Sequence, residues 1–456
     1  MSLLRTKPII AHQHTELYRC LGALDLTLLG IGAIIGAGIF VLTGVAAATK
    51  AGPAIVLSYV LAGFACTFAA LAYAELASTL GGCGSAYGYA YTGLGELIAW
   101  IIGWDLILEY GVSTPAVAIG WSGYTGNGLA AMGLTLPNYL LHAPGEGGIV
   151  NLPALIIILL LAVLLSIGIS VSARFNATMV FVKLLAIVIF VVVAAGNVDP
   201  AHWSPFLPFG WQGVTTGGAL IFFAYIGFDA VSTAAEEAIN PQRDLPIGIL
   251  ASLGVCTAIY MTVAALLTGI VPYHTLNVAS PVADALLRLG HRWASGFIAA
   301  GAIAGLTTVM LVLYYGLTRV FLAMARDGLL PPLFSVVHPR TRTPIQIIIV
   351  AGVFMALIAG FIPIAQVAEL VNIGTLAAFV LVCFGVIMLR YTHPDLHRPF
   401  RSPLSPLVPA LGIALCLYLM MSLPMITWLR FGVWLAIGLV VYFGYSRVHS
   451  VLAAPR

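Results

Sequence analysis

Charge is the scarcest property of this chain. Asp, Glu, Lys and Arg make up 8% of its 456 residues, against 61% hydrophobic residues and a mean hydropathy of +1.06. A soluble domain carries about 25% charged residues, so this chain cannot clothe a water-facing surface. That excludes a soluble enzyme and a nucleic-acid binder, and it points to a polytopic membrane protein. Cysteine is sparse as well: Cys20, Cys66, Cys83, Cys256, Cys383 and Cys416 stand singly, mostly in apolar runs. Without a CxxC pair no metal site and no disulfide is expected, and the six read as small buried hydrophobes. The first twenty residues are polar, with Arg5, Lys7, His12, His14, Glu16 and Arg19, and lack the short apolar core of a cleavable signal peptide.

What is abundant is long apolar runs. A helix needs about 20 apolar residues to cross the hydrocarbon. The runs predict twelve spans near 24–48, 54–80, 95–124, 152–171, 174–196, 213–237, 246–271, 294–325, 344–361, 367–390, 406–424 and 430–447. An even number puts both termini on one side. If that side is the cytoplasm, thirteen Lys and Arg residues face inward, while Lys50, Arg288, Arg292 and Arg430 face outward. The positive-inside rule then predicts a multi-pass cell-membrane protein with both termini cytoplasmic.

Two spans are interrupted. The first holds GIGAIIGAGIF (30–40) and the sixth FFAYIGFDAV (222–231). Glycine clusters weaken helices. The two lie first in successive blocks of five with opposite membrane orientation, the pattern of an inverted repeat. The blocks run over about 24–196 and 213–390, with additional helices over about 406–447, and nothing remains for a second domain. Gly32 and Gly36 also fit the plainer role of letting helices approach closely.

Four titratable residues lie deep: Asp105, Glu109, Lys183 and Asp229. A charge at the bilayer centre costs roughly 2.5–3.5 kcal/mol on insertion scales. Lys183 is about ten residues, roughly 15 Å, from either end of its span, too far to reach the interface. It must be paired or sit in a wet cavity. Asp105 and Glu109 share a helix face. Plainer roles stay open: a register-fixing pair for Lys183 and Glu109, a cap for Asp229, packing for Asp105. Glu75, Glu96, Glu236, Glu237 and Arg319 lie near span ends and read as interfacial or gate residues. HPDLH (393–397) has zinc-helix spacing but sits with a proline in a basic loop, and GCGSAYG (82–88) reads as a turn.

The stretches GIGAIIGAGIFVLTG, FFAYIGFDAVSTAAEEAINPQRDLPIGI and LTRVFLAMARDGLLPP together resemble the amino acid–polyamine–organocation superfamily. GFDAVSTAAEE and NPQRDLP point to its cationic amino acid transporter family, in particular the bacterial members. The resemblance covers essentially the whole chain. It implies an all-α polytopic protein of LeuT-type fold, with two inverted five-helix repeats plus two helices. It also implies main-chain substrate contacts: N–H groups of Ala37, Gly38 and Ile39 for a carboxylate, carbonyls of Ile34, Phe223, Ala224 and Ile226 for an ammonium. The physics agrees, because half-helix ends leave such groups unpaired.

By the same resemblance Lys183 replaces a bound sodium ion and reaches the break in the first span. The proton is then the coupling ion, with no other cofactor, and Asp229 and Glu109 are further candidates for proton coupling. Leu313 falls where the substrate side chain points; members that take cationic amino acids tend to carry a small or polar residue there. Leucine offers a guanidinium no partner, and Lys183 is expected to compete for Asp229 and Glu109. The expectation is a proton-coupled symporter of small neutral L-amino acids such as alanine, with Leu313→Ser admitting longer or cationic ones. Its rivals are an exchanger, a sodium symporter, an arginine or lysine transporter and, in another class, a transport-inactive sensor or an intramembrane enzyme. With no nucleotide-binding fingerprint, an ion gradient or exchange must drive transport.

Overall fold

The computed structural model describes residues 5–8, 17–80, 85–131, 134, 136–144, 147–278, 280–362 and 371–453. Cys83, His12, His14, Glu16 and the start of the span expected at 367 lie outside the described residues. The helices are α1 (Ala23–Ile34), α2 (Ile55–Leu80), α3 (Ala86–Gly93), α4 (Glu96–Ala131), α5 (Leu152–Ile167), α6 (Ile169–Ala195) and α7 (Gly210–Ile221). After them come α8 (Pro241–Ile270), α9 (Pro281–Arg288), α10 (Arg292–Arg326), α11 (Ile345–Phe361), α12 (Val371–Thr392), α13 (Leu407–Met421) and α14 (Met425–Val441). Among the described residues eight stretches are long and apolar enough to cross a bilayer, and α5, α11 and α13 are shorter apolar helices. The first stretch, Ala23–Leu80, holds both of the first two expected spans. The chain is a multi-pass, all-α membrane protein.

Local chemistry sets the helix starts. Pro153, Pro241 and Pro281 sit in the first turns of α5, α8 and α9, where a missing N–H costs no helical bond. Asn151 caps α5 by accepting from Ala154 N–H at 3.3 Å. The α5–α6 boundary falls at Gly168, ahead of the expected 172–173. The polar SVSA run is accommodated within the helix, the Ser172 hydroxyl turning back onto Gly168 O at 3.0 Å. Beyond the exposed Arg174 near its start, α6 is apolar outside and carries its second charge inside. Phe181, Leu185, Val188 and Val192 are exposed where lipid would lie, while Lys183 is buried with Val180 and Ile187.

α1 lies at the centre, packed by α6, α8 and α10; α2 packs along α8, and α4 along α10. Both expected interruptions are present. α1 ends with Ile35 N–H donating to Ile31 O, and the chain resumes as a wide π-type turn at Gly38–Leu42. α7 tightens into a 3₁₀ turn, Phe222–Tyr225. Ile226 is then extended, Gly227 has φ +113°, and the chain continues as a 3₁₀ segment, Asp229–Ala234. The two breaks touch through glycine. A Cβ on Gly227 would lie 2.8 Å from Ala33 Cβ, and one on Gly38 only 2.2 Å from Ala224 Cβ.

Candidate functional site

The breaks open onto one small cavity of about 20 Å³, lined by Ile34, Ala37, Gly38, Phe223, Ile226 and Leu313 of the residues expected from sequence. In the second half of the first break, the first backbone hydrogen bond runs from Phe40 N–H to Gly36 O. The N–H groups of Ala37, Gly38 and Ile39 therefore precede the first closed turn, as helix-start donors do. The side chain of Ile39 turns away, into a separate apolar cavity with Phe40 and Ile187. Ala224 is not among the lining residues; its Cα and Cβ seat Gly38 instead.

One residue that the sequence did not signal joins the two breaks. The Tyr260 hydroxyl on α8 lies 2.6 Å from Ile34 O and 2.8 Å from Ala224 O. It has a single proton to donate between two carbonyls that belong to different broken helices. Tyr260 sits in the apolar run CTAIYMTVAA, where nothing marks it. Ser113 and Val117 on α4 and Val309 on α10 also line the cavity and were not anticipated.

Lys183 is fully buried behind α1. Its Nζ lies 2.9 Å from Ile31 O, 3.1 Å from Gly32 O, 2.9 Å from Ile35 O and 2.9 Å from Thr308 Oγ1. These carbonyls belong to the last turn of α1 and the residue after it, where a cation also meets the negative end of the helix dipole. The expected rivalry for Asp229 and Glu109 is therefore corrected: among the described residues Lys183 forms no ion pair, because main-chain oxygens occupy its head group. The carboxylates lie elsewhere. Asp229 is buried; one oxygen accepts from the Tyr110 hydroxyl, and the other has no partner among the described residues. Both Glu109 oxygens and Asp105 Oδ1 are likewise buried without hydrogen-bond partners among the described residues.

The face carrying the chain's two ends is ion-paired. Arg319 Nη2 meets Glu237 Oε1 at 2.8 Å with both side chains buried, and its guanidinium lies 4.5 Å from the Tyr315 ring centre. Tyr315 also donates to Glu237. Cys20 and Leu21 donate their N–H groups to Glu237 O at 3.0 Å, tying the chain before α1 to the chain after the second break. Burial, then the carboxylates of Glu237 and Asp25, pushes the Cys20 thiol up to about 11. Arg5 pairs with Glu96, Lys7 with Asp327, Arg326 with Glu236, and Arg390 with Glu75. The span-end acids Glu75, Glu96, Glu236 and Glu237 are thus each ion-paired, Glu237 with Arg319.

Comparison with known proteins adds relatives along the full length. The family profile described as "Amino acid permease" matches residues 21–445. A protein of Bacillus subtilis (strain 168) named methylthioribose transporter is 50% identical over 457 residues, 99% of each chain. The branched-chain amino acid permease BcaP of the same organism is 52% identical, over 96% of this chain and 95% of its own. The vacuolar cationic amino acid transporter 4 of Arabidopsis thaliana is 40% identical over 83% of this chain and 64% of its own.

Proposed function

The chain belongs to the amino acid permease family, and from that premise we propose that it is a proton-coupled symporter of small neutral L-amino acids, alanine foremost. It is a membrane transporter, not an enzyme. The observation that carries the substrate reading is the cavity between the breaks, with N–H groups that precede the first closed turn at one edge and main-chain carbonyls at another. A zwitterion needs both. The donors of Ala37, Gly38 and Ile39, at a helix-half start, suit the carboxylate. The carbonyls of Ile34, Phe223, Ala224 and Ile226 suit the ammonium. Leu313, Val309 and Val117 then face the side chain with apolar surface, where a guanidinium would be buried unpaired.

Lys183 supplies the coupling in this reading. As an ammonium it holds the end of α1, and the loss of its proton weakens that hold, so protonation biases the position of a broken helix. Asp229 and Glu109 serve as further proton carriers. The repeats, 24–196 and 213–390, rock about the site while 406–447 stands outside them. Both termini face the cytoplasm and the membrane is the cell's own. A second reading, branched-chain substrates, is favoured by the name of the 52% identical relative and by the aliphatic wall.

The test is uptake by the reconstituted protein under an imposed pH gradient. Radiolabelled alanine should accumulate, and Lys183→Ala, still monodisperse, should lose about tenfold or more of that accumulation. Full accumulation in Lys183→Ala would remove the lysine from coupling. Leucine competing better than alanine would favour the second reading, and arginine competing better than either would reject the pocket argument.

A further inference from the structure

Ser113 is the one residue of the cavity lining, among the described residues, whose side chain can form a hydrogen bond, and its hydroxyl is idle. The rest of the lining is alanine, glycine, valine, isoleucine, leucine or phenylalanine. Ser113 is 1% exposed, and its Oγ has no partner among the described residues. Serine and threonine within helices commonly turn the hydroxyl back onto the carbonyl four residues earlier. The neighbouring Thr114 does so, at 2.9 Å from Tyr110 O, and so does Thr307 across the cavity, at 2.8 Å from Ile303 O. Ser113 does not. Buried polar groups are nearly always paired, so an open one in the wall of a cavity marks a place where a ligand atom fits.

The position says which ligand atom. The donors and acceptors for a carboxylate and an ammonium belong to the two breaks, whereas Ser113 belongs to α4. Val117, one turn on, and Val309 and Leu313 of α10 share that wall. What reaches the wall is the substrate's side chain. We propose that Ser113 is a specificity determinant that receives the hydroxyl of a β-hydroxy L-amino acid, serine or threonine; this rests on the amino-acid reading above. The surrounding branched side chains set the size, and Ser113 sets the polarity.

Threonine and valine decide it, because they share a shape and differ in one hydroxyl. A wholly apolar wall barely separates such a pair, while a wall with an open hydrogen-bonding group favours the hydroxyl. Both are competed against radiolabelled alanine in proteoliposomes holding the full chain. Threonine should compete about tenfold better than valine, Ser113→Ala should bring that ratio to about one, and Ser113→Thr should retain it. A ratio unchanged in Ser113→Ala, or valine preferred by the unmodified protein, overturns the assignment. So does a parallel loss of threonine, valine and alanine in Ser113→Ala, which would put the hydroxyl on the ammonium. If the unmodified protein gives no alanine counterflow, the amino-acid reading falls and takes this inference with it. Counterflow with a flat ratio removes Ser113's part alone.

Discussion

Asp229 sits where the second break turns back into helix, with one oxygen on Tyr110 and the other unmatched among the described residues. Asp229→Asn keeps the size and leaves an amide oxygen for Tyr110, so the protein should fold. It removes a group that can gain and lose a proton. Uptake should fall by about tenfold and its pH profile should flatten. An unaltered profile would leave Asp229 a packing residue. The individual residues were unequally legible in the sequence. The breaks at Gly38 and Ile226 follow from a glycine pattern that lies within ten residues of chain. Lys183 announced itself because a lysine amid FVKLLAIVIF is costly anywhere in a bilayer. The resemblance pointed it at the break in the first span, but not at the particular carbonyls of Ile31 and Ile35 or at the Thr308 hydroxyl, which look like ordinary span sequence. Tyr260 and Ser113 stayed hidden for the same reason: what matters is which helix they face.

The elements that matter most are the two that are not continuous helices. Their contact depends on the missing side chain of Gly38, where a methyl group would fall 2.2 Å from Ala224 Cβ and 2.5 Å from its Cα. Backbone cannot yield as a flexible side chain would, so Gly38→Ala should push the breaks apart. Alanine affinity should drop by about a hundredfold while the protein stays monodisperse. Calorimetric titration checks this, and wild-type affinity would show that the breaks need not touch. Helix placement was readable because lipid demands long apolar runs, and α2, α10 and α11 begin within two residues of expectation. The second half of the sixth span was harder. DAVSTA is helix-like by composition, yet it winds as 3₁₀, and Ser232 and Thr233 hydroxyls bond carbonyls three residues back, at 2.6 Å each.

Across the whole molecule, the ion-paired face holds the segments before α1 and after the second break to the end of α10. Glu237 is central to it, taking Arg319 on its side chain and two N–H groups on its carbonyl. Glu237→Gln strands a buried guanidinium, a loss of about 3–5 kcal/mol for such a pair. It also removes a carboxylate that keeps the Cys20 thiol protonated. The thiol's ionisation should then move down toward the usual range, raising its thiolate fraction near neutrality. Cys20 alkylation at pH 8, located by mass spectrometry, should quicken by about tenfold. An unchanged rate would mean that other pairs seal this face. A symporter, as proposed above, must also make its return journey with nothing aboard, and there the Tyr260 hydroxyl has a consequence. An empty site would leave two carbonyls, one on each broken helix, facing a dry interior. One phenolic proton spans both, near enough to quiet either and too few to content the pair. On the proposed reading, that shared proton holds the empty breaks together less firmly than a bound ammonium with several protons would.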